Sequence, residues 1–116
     1  MLYSSTRGGD NNKSFIEVLL NGLASDGGLY VPNSIPFFKK EKLHSFANLE
    51  YHELCYEITK EFINNEIPLE KYKKICEKTY KNFSEKEIIS LTQLNQQEYI
   101  LNLFHGPTFA FKDFAL

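Results

Sequence analysis

Between residues 51 and 80 the apolar side chains recur at helical spacing twice in succession, which commits this stretch to a pair of amphipathic helices. Tyr51, Leu54, Cys55, Ile58 and Phe62 fall at i, i+3, i+4, i+7 and i+11, the signature of one buried helical face. Asn64 and Asn65 break the run, and Pro68 suits the first turn of a second helix. Its inner face is Leu69, Tyr72, Ile75, Cys76 and Thr79. Upstream, Ser14 and Glu17 have capping-box spacing ahead of a face made by Phe15, Ile16, Leu19, Leu20 and Leu23. A further short helix is expected over 39–44.

Short strands are expected over 2–6 and 29–31, the second stopped by Pro32. A polar, Gly-rich turn over 7–12 follows the first. Asp26-Gly27-Gly28 precedes the second, and there glycine allows positive φ at low cost. The pattern changes after residue 82. Strands are expected over 88–91 and 99–104, with a turn at Gln96 and Gln97. A sharp turn over 105–108 then leads to a helix starting at Phe109, with Thr108 as its cap. That helix reaches Leu116 after about two turns without a C-cap or closing glycine. We therefore expect an α+β fragment of a larger protein. A small, mostly helical domain spans 1–82, and the first strands and helix start of an α/β domain occupy 83–116.

Composition narrows the function classes. The chain has 116 residues, 42% hydrophobic and 24% charged, ordinary for a folded domain. Thirteen basic residues against 15 acidic ones leave no cationic excess to neutralise phosphates, so nucleic acid is not an expected partner. No apolar run approaches a membrane span and no signal peptide is visible, so the default location is cytoplasmic. Cys55 and Cys76 read as reduced core thiols. His44 and His52 have no partners at metal-ligand spacing, and no metal is expected. Tyrosines and phenylalanines outside the last dozen residues read as core.

The chemistry concentrates near the end, in His105-Gly106-Pro107-Thr108-Phe109-Ala110-Phe111-Lys112-Asp113-Phe114. Lys112 is flanked by Phe109, Ala110, Phe111, Phe114 and Ala115. With Thr108 as cap it sits near the fourth helical position, where the positive end of the helix dipole disfavours a cation. Desolvation by the phenylalanines acts in the same direction. Both lower the pKa of the amine, as condensation with an aldehyde near neutral pH requires. Asp113 opposes this if it faces the ammonium, and spacing does not decide its direction. On the residues alone, the ordinary alternative is a surface Lys–Asp pair.

This segment resembles the HGPTxAFKDF signature of threonine synthases. Tyr3-Ser4-Ser5-Thr6-Arg7-Gly8 is similar to the family's opening segment, and Asp26-Gly27-Gly28-Leu29-Tyr30-Val31-Pro32 to its DGGL[YF]VP turn. The resemblance covers essentially the whole chain, at about the first quarter of a full enzyme. It implies a fold type II α/β domain and pyridoxal 5'-phosphate as cofactor, held covalently by Lys112. It also implies conversion of O-phosphohomoserine and water to threonine and phosphate, with the freed Lys112 amine moving protons at Cα and Cβ. The cofactor-phosphate loop and the partner of the pyridine nitrogen belong to later sequence, so the 116 residues alone are expected to be inactive.

Other site residues carry two readings each. Thr108 either caps a helix or lines the site. His105 is either an acid/base or substrate contact, or a structural turn residue. Ser5, Thr6 and Arg7 either approach the substrate, Arg7 gripping phosphate or carboxylate, or serve the end of a strand. Two rivals accompany the synthase reading: a threonine-synthase-like phospho-lyase or dehydratase of the same fold, and a non-catalytic helical module. Oligomeric state is left open.

Overall fold

The computed structural model describes residues 1–84 and 88–114. The expectation for Ala115, and for the helix beyond it, lies outside the described residues. Among the described residues nine elements follow in order. They are β1 (Tyr3–Ser5), α1 (Phe15–Asn21), β2 (Tyr30–Pro32), α2 (Lys40–Phe46), α3 (Tyr51–Ile63), α4 (Leu69–Tyr80), β3 (Ser90–Gln93), β4 (Tyr99–Asn102) and a 3-10 helix (Phe111–Phe114). The chain divides into two compact units, Met1–Cys76 and Glu77–Leu116. The architecture is α+β, with four α-helices and two small antiparallel sheets among the described residues.

In the first unit the capping box forms as its spacing predicts. Glu17 N–H donates to the Ser14 hydroxyl at 3.3 Å, and Ser14 N–H donates to the Glu17 carboxylate at 2.8 Å. A second acceptor comes from 50 residues away. The Glu66 carboxylate takes the N–H groups of Phe15 at 2.9 Å and Ile16 at 3.0 Å. These are donors that a helix start leaves without partners. Glu66 can reach back because Asn64 and Asn65 both adopt left-handed backbone, with φ of 54° and 60°, a conformation asparagine tolerates. Tyr3 adds a second long-range tie: its buried hydroxyl donates to the Phe62 carbonyl at 2.8 Å.

The α3–α4 pair forms over nearly the expected residues. Ile63 and Cys76 are buried on it. The Thr59 and Tyr72 hydroxyls meet at 2.7 Å between the two helices. Burial pushes the Tyr72 hydroxyl up to about 12 and the Cys76 thiol up to about 11. Both cysteines are free thiols, Cys76 buried and Cys55 half-buried.

Several expectations need correction. The α1 stripe does not cover a core within its unit, for Leu19, Leu20 and Leu23 are all exposed, Leu20 at 80%. The helix ends at Asn21, before Leu23, and seven residues offer little surface to a partner. Aromatic residues are not uniformly core either: Tyr3 and Phe46 are buried, but Phe37 is 87% exposed and Tyr99 is exposed. The short helix runs over Lys40–Phe46 instead of 39–44. Pro32 is not a stop before which the strand ends, since it pairs with Tyr3 as the last residue of β2.

In the second unit β3 and β4 form a hairpin, Ser90 opposite Asn102 and Gln93 opposite Tyr99. The Asn95 side-chain oxygen accepts from the N–H groups of Gln97 and Glu98 at 3.0 and 3.1 Å, an Asx turn at the expected position. Both strands differ from 88–91 and 99–104. The Asn102 amide donates to the Ser90 and Thr92 hydroxyls at 3.0 and 2.9 Å. These bonds hold the end of the ladder at Ser90 and Asn102, short of Phe104.

The carboxylates give the first unit an acid limit. The Tyr30 hydroxyl, with Ser25 and Lys13, holds Asp10 well below the usual carboxylate range. The Ser5 hydroxyl and the Gly28 and Gly9 N–H groups lower Asp26. Burial pulls Glu66 upward, but the Ile16 and Phe15 N–H groups outweigh it and leave Glu66 lowered. A carboxylate whose folded-state pKa is depressed adds stability above its unfolded value, near 4. That stability is lost as pH falls through the lower folded-state value. Thermal unfolding followed by circular dichroism is therefore expected to give a constant midpoint above about pH 5 and a falling one below about pH 4. A midpoint that stays level or rises toward pH 2 contradicts this.

Candidate active site

Lys112 lies in the 3-10 helix, its side chain exposed. The α-helix expected from Phe109 does not form among the described residues. Phe109 instead takes left-handed backbone with φ 57°, an uncommon and strained state for a bulky side chain. Its N–H closes a turn onto the Gly106 carbonyl at 3.1 Å. Thr108 is not a helix cap. Its N–H and hydroxyl both donate to Asp113, at 2.9 Å to Oδ2 and 2.7 Å to Oδ1. The Thr108 hydroxyl, with the Thr108 and Ala110 N–H groups, holds the Asp113 carboxyl below its ordinary value.

The direction of Asp113, open in the sequence, is thus toward Thr108. Among the described residues no ion pair reaches the Lys112 amine. The desolvating wall expected around it is not assembled from these residues: Phe109 is 74% and Phe111 65% exposed. Phe114 is half-buried and packs edge-on against Phe83 at 5.1 Å. A pocket of about 400 Å³ lies here, lined by Thr79, Phe83, Pro107, Thr108, Ala110, Lys112 and Asp113. The site therefore offers a primary amine and a largely apolar wall beside a short polar clamp. That donor set fits a flat aromatic aldehyde attached through nitrogen. Nothing in the clamp competes for the amine.

His105 belongs to the same unit. Its Nε2 lies 2.9 Å from the Ser90 hydroxyl, and its carbonyl accepts from the Ser84 N–H and hydroxyl at 3.0 and 3.1 Å. These contacts fasten the turn after β4 to the start of β3. Thr6 and Arg7 belong to the first unit, where both are exposed. The Thr6 hydroxyl accepts from the Leu29 N–H at 3.0 Å, and Arg7 donates to the Asp26 carbonyl at 3.0 Å. Ser5 is buried and donates to Asp26 at 2.6 Å. The opening segment and the Asp26-Gly27-Gly28 turn thus form one hydrogen-bonded corner. Cys76, held protonated by burial, is a poor nucleophile.

Sequence reasoning missed the carboxylates that organise both corners. Asp26 gathers Ser5, Gly9 and Gly28, and Asp10 gathers Ser25, Tyr30 and Lys13. The only local sign was an aspartate beside glycines in each turn.

Residues 2–80 match the family model described as threonine synthase N terminus. This chain belongs to the threonine synthase family. It is 50% identical to the threonine synthase of Pseudomonas aeruginosa over 116 residues, all of this chain and 25% of that one. With the threonine synthase of Schizosaccharomyces pombe it shares 41% identity, over 98% of this chain and 22% of the relative. Among solved structures, the pyridoxal-phosphate-bound threonine synthase of Brucella melitensis matches with a TM-score of 0.92 and 38% identity. That match covers 97% of this chain and 24% of that protein. The chain therefore spans about a quarter of the length of these family members.

Proposed function

We propose that this chain forms the first part of a pyridoxal-phosphate-dependent threonine synthase, a lyase that converts O-phosphohomoserine and water to threonine and phosphate. Residues 1–82 would be its N-terminal helical domain, and 83–116 the start of a fold type II catalytic domain. The observation that carries the reading is the exposed Lys112 amine, without an ion pair among the described residues, in a segment that resembles the family's lysine signature.

Pyridoxal phosphate, when bound, supplies the electron sink for charge developing on the substrate carbons. Lys112 Nζ would hold the cofactor through its aldehyde. The same amine, when free, would take and return protons at the substrate's Cα and Cβ. Pro107, Ala110 and Phe83 line the apolar side of the pocket beside that amine. Thr108 is committed to Asp113 and fixes the loop leading to the lysine. His105, through Ser90, anchors the far side of the same turn. Thr6 and Arg7 serve the Asp26 corner, and a substrate contact by Arg7 would use the guanidinium nitrogens not spent on the Asp26 carbonyl. The activity is assigned to the cytoplasm, with a small-molecule substrate.

Full-length protein supplied with pyridoxal phosphate is expected to release phosphate from O-phosphohomoserine with threonine formed in equal amount. Phosphate release with a keto acid and ammonia in place of threonine would instead establish the phospho-lyase or dehydratase alternative.

A further inference from the structure

We infer that Asp113 is a positioning residue, clamping the Gly106–Thr108 corner so that Lys112 is presented to the pocket, and that it is not the counter-ion of the lysine. The inference rests on the reading of Lys112 given above and adds the part played by its neighbour.

Three observations carry it. First, each carboxylate oxygen of Asp113 has a partner on Thr108, the N–H at 2.9 Å and the hydroxyl at 2.7 Å. Second, the 3-10 turn advances by a third of a circle per residue, so adjacent side chains at 112 and 113 diverge. Third, Asp113 lies so close to Gly106 that a Cβ there would overlap its side chain, with Asp113 Cγ only 2.7 Å away. Gly106 is buried. The corner is thus built around this carboxylate, and the strained backbone of Phe109 lies inside the loop that it closes. A lysine three residues beyond a strained position needs such a fixed support, because displacement by about 1 Å can cost on the order of 100-fold in rate.

The two roles of Asp113 separate through asparagine. Asp113→Asn removes the charge and keeps the shape. Its carbonyl oxygen can accept the Thr108 N–H, while its amide donates to the Thr108 hydroxyl oxygen, since a hydroxyl serves either way. Asp113→Ala removes both bonds, and Thr108→Val removes the hydroxyl bond alone. In the full-length holoenzyme, Asp113→Ala is expected to lower kcat by roughly 10- to 100-fold with a smaller change in KM. Thr108→Val should fall between Asp113→Ala and wild type, with Thr108→Ser restoring most of the loss. Asp113→Asn should retain most turnover and leave the pH midpoint of the lysine-bound cofactor's absorbance band in place.

An Asp113→Asn enzyme as impaired as Asp113→Ala, with that midpoint displaced, would overturn the inference in favour of a charge acting on the amine. Wild-type turnover in both Asp113→Ala and Thr108→Val would overturn it as well. Should Asp113→Ala fail to fold, the Asn, Val and Ser variants still decide. Absence of any lysine-bound band in the wild type would sink the site reading itself. The clamp then stands or falls on amide exchange at residue 108, which should be slower in Asp113→Asn than in Asp113→Ala; equal rates would overturn it.

Discussion

Lys112→Ala in the full-length enzyme is expected to lower threonine formation by roughly 1,000-fold or more, with the fold intact. The amine is assigned two tasks that no neighbour duplicates, covalent hold on the cofactor and proton movement at the substrate. The two other titratable side chains of the lysine motif are already engaged: Asp113 with Thr108, and His105 with Ser90. The substitution should be nearly silent in stability, within about 0.5 kcal/mol, because the side chain is exposed and no ion pair reaches it among the described residues. Lys112→Arg should be equally inactive. It keeps the positive charge, but a guanidinium does not give up its proton near neutral pH and cannot stand in for a neutral amine. Phosphate release measured beside a thermal melt tests both halves. Retained turnover in either variant would contradict the assignment.

Gly28→Ala is expected to destabilise the first unit by about 2–3 kcal/mol, visible as a lower unfolding midpoint. Glycine is needed at 28 for a different reason from the one its turn motif suggests. Gly27 has the positive φ, 76°, whereas Gly28 does not appear among the left-handed residues. A Cβ at 28 would instead overlap the Ser5 hydroxyl and meet the Arg7 backbone N and Asp26 Oδ1, each at 3.1 Å. Ser5 is buried and bonded to Asp26, so it cannot swing clear without breaking the bond that ties β1 to the Asp26 turn. Gly8→Ala provides the comparison. A Cβ at 8 meets nothing within 4 Å, so only the cost of its positive φ remains. Equal midpoints for Gly28→Ala and wild type would contradict the close approach.

The features legible in the sequence were those encoded locally. Helix periodicity located α3 and α4, and the Ser14–Glu17 spacing located the start of α1 to the residue. Asn64 and Pro68 marked the break between helices for physical reasons that the backbone bears out, left-handed φ at one and a missing N–H at the other. Long-range polar contacts were not legible. Glu66 looked like one more surface carboxylate in an Asn-rich turn, yet it holds the start of α1. Asp26 and Asp10 looked like turn residues, yet each draws several donors together.

At the lysine the motif points to a residue, and local rules misplaced its setting. Thr-x-x-x before an apolar run reads as a helix cap, but Asp113 captures both Thr108 donors and winds the chain into a 3-10 turn. The two effects expected to favour a neutral amine, an α-helix dipole and a wall of phenylalanines, are therefore not supplied by the described residues. Exposed Phe109 and Phe111 are apolar surface that water meets here.

Covalent trapping puts the whole account to its most direct test. Full-length protein is loaded with pyridoxal phosphate, reduced with borohydride and digested, and the modified peptide is mapped by mass spectrometry. The account predicts a single stable adduct on the side chain of Lys112. An adduct confined to any other lysine, with the peptide carrying Lys112 recovered unmodified, would contradict it.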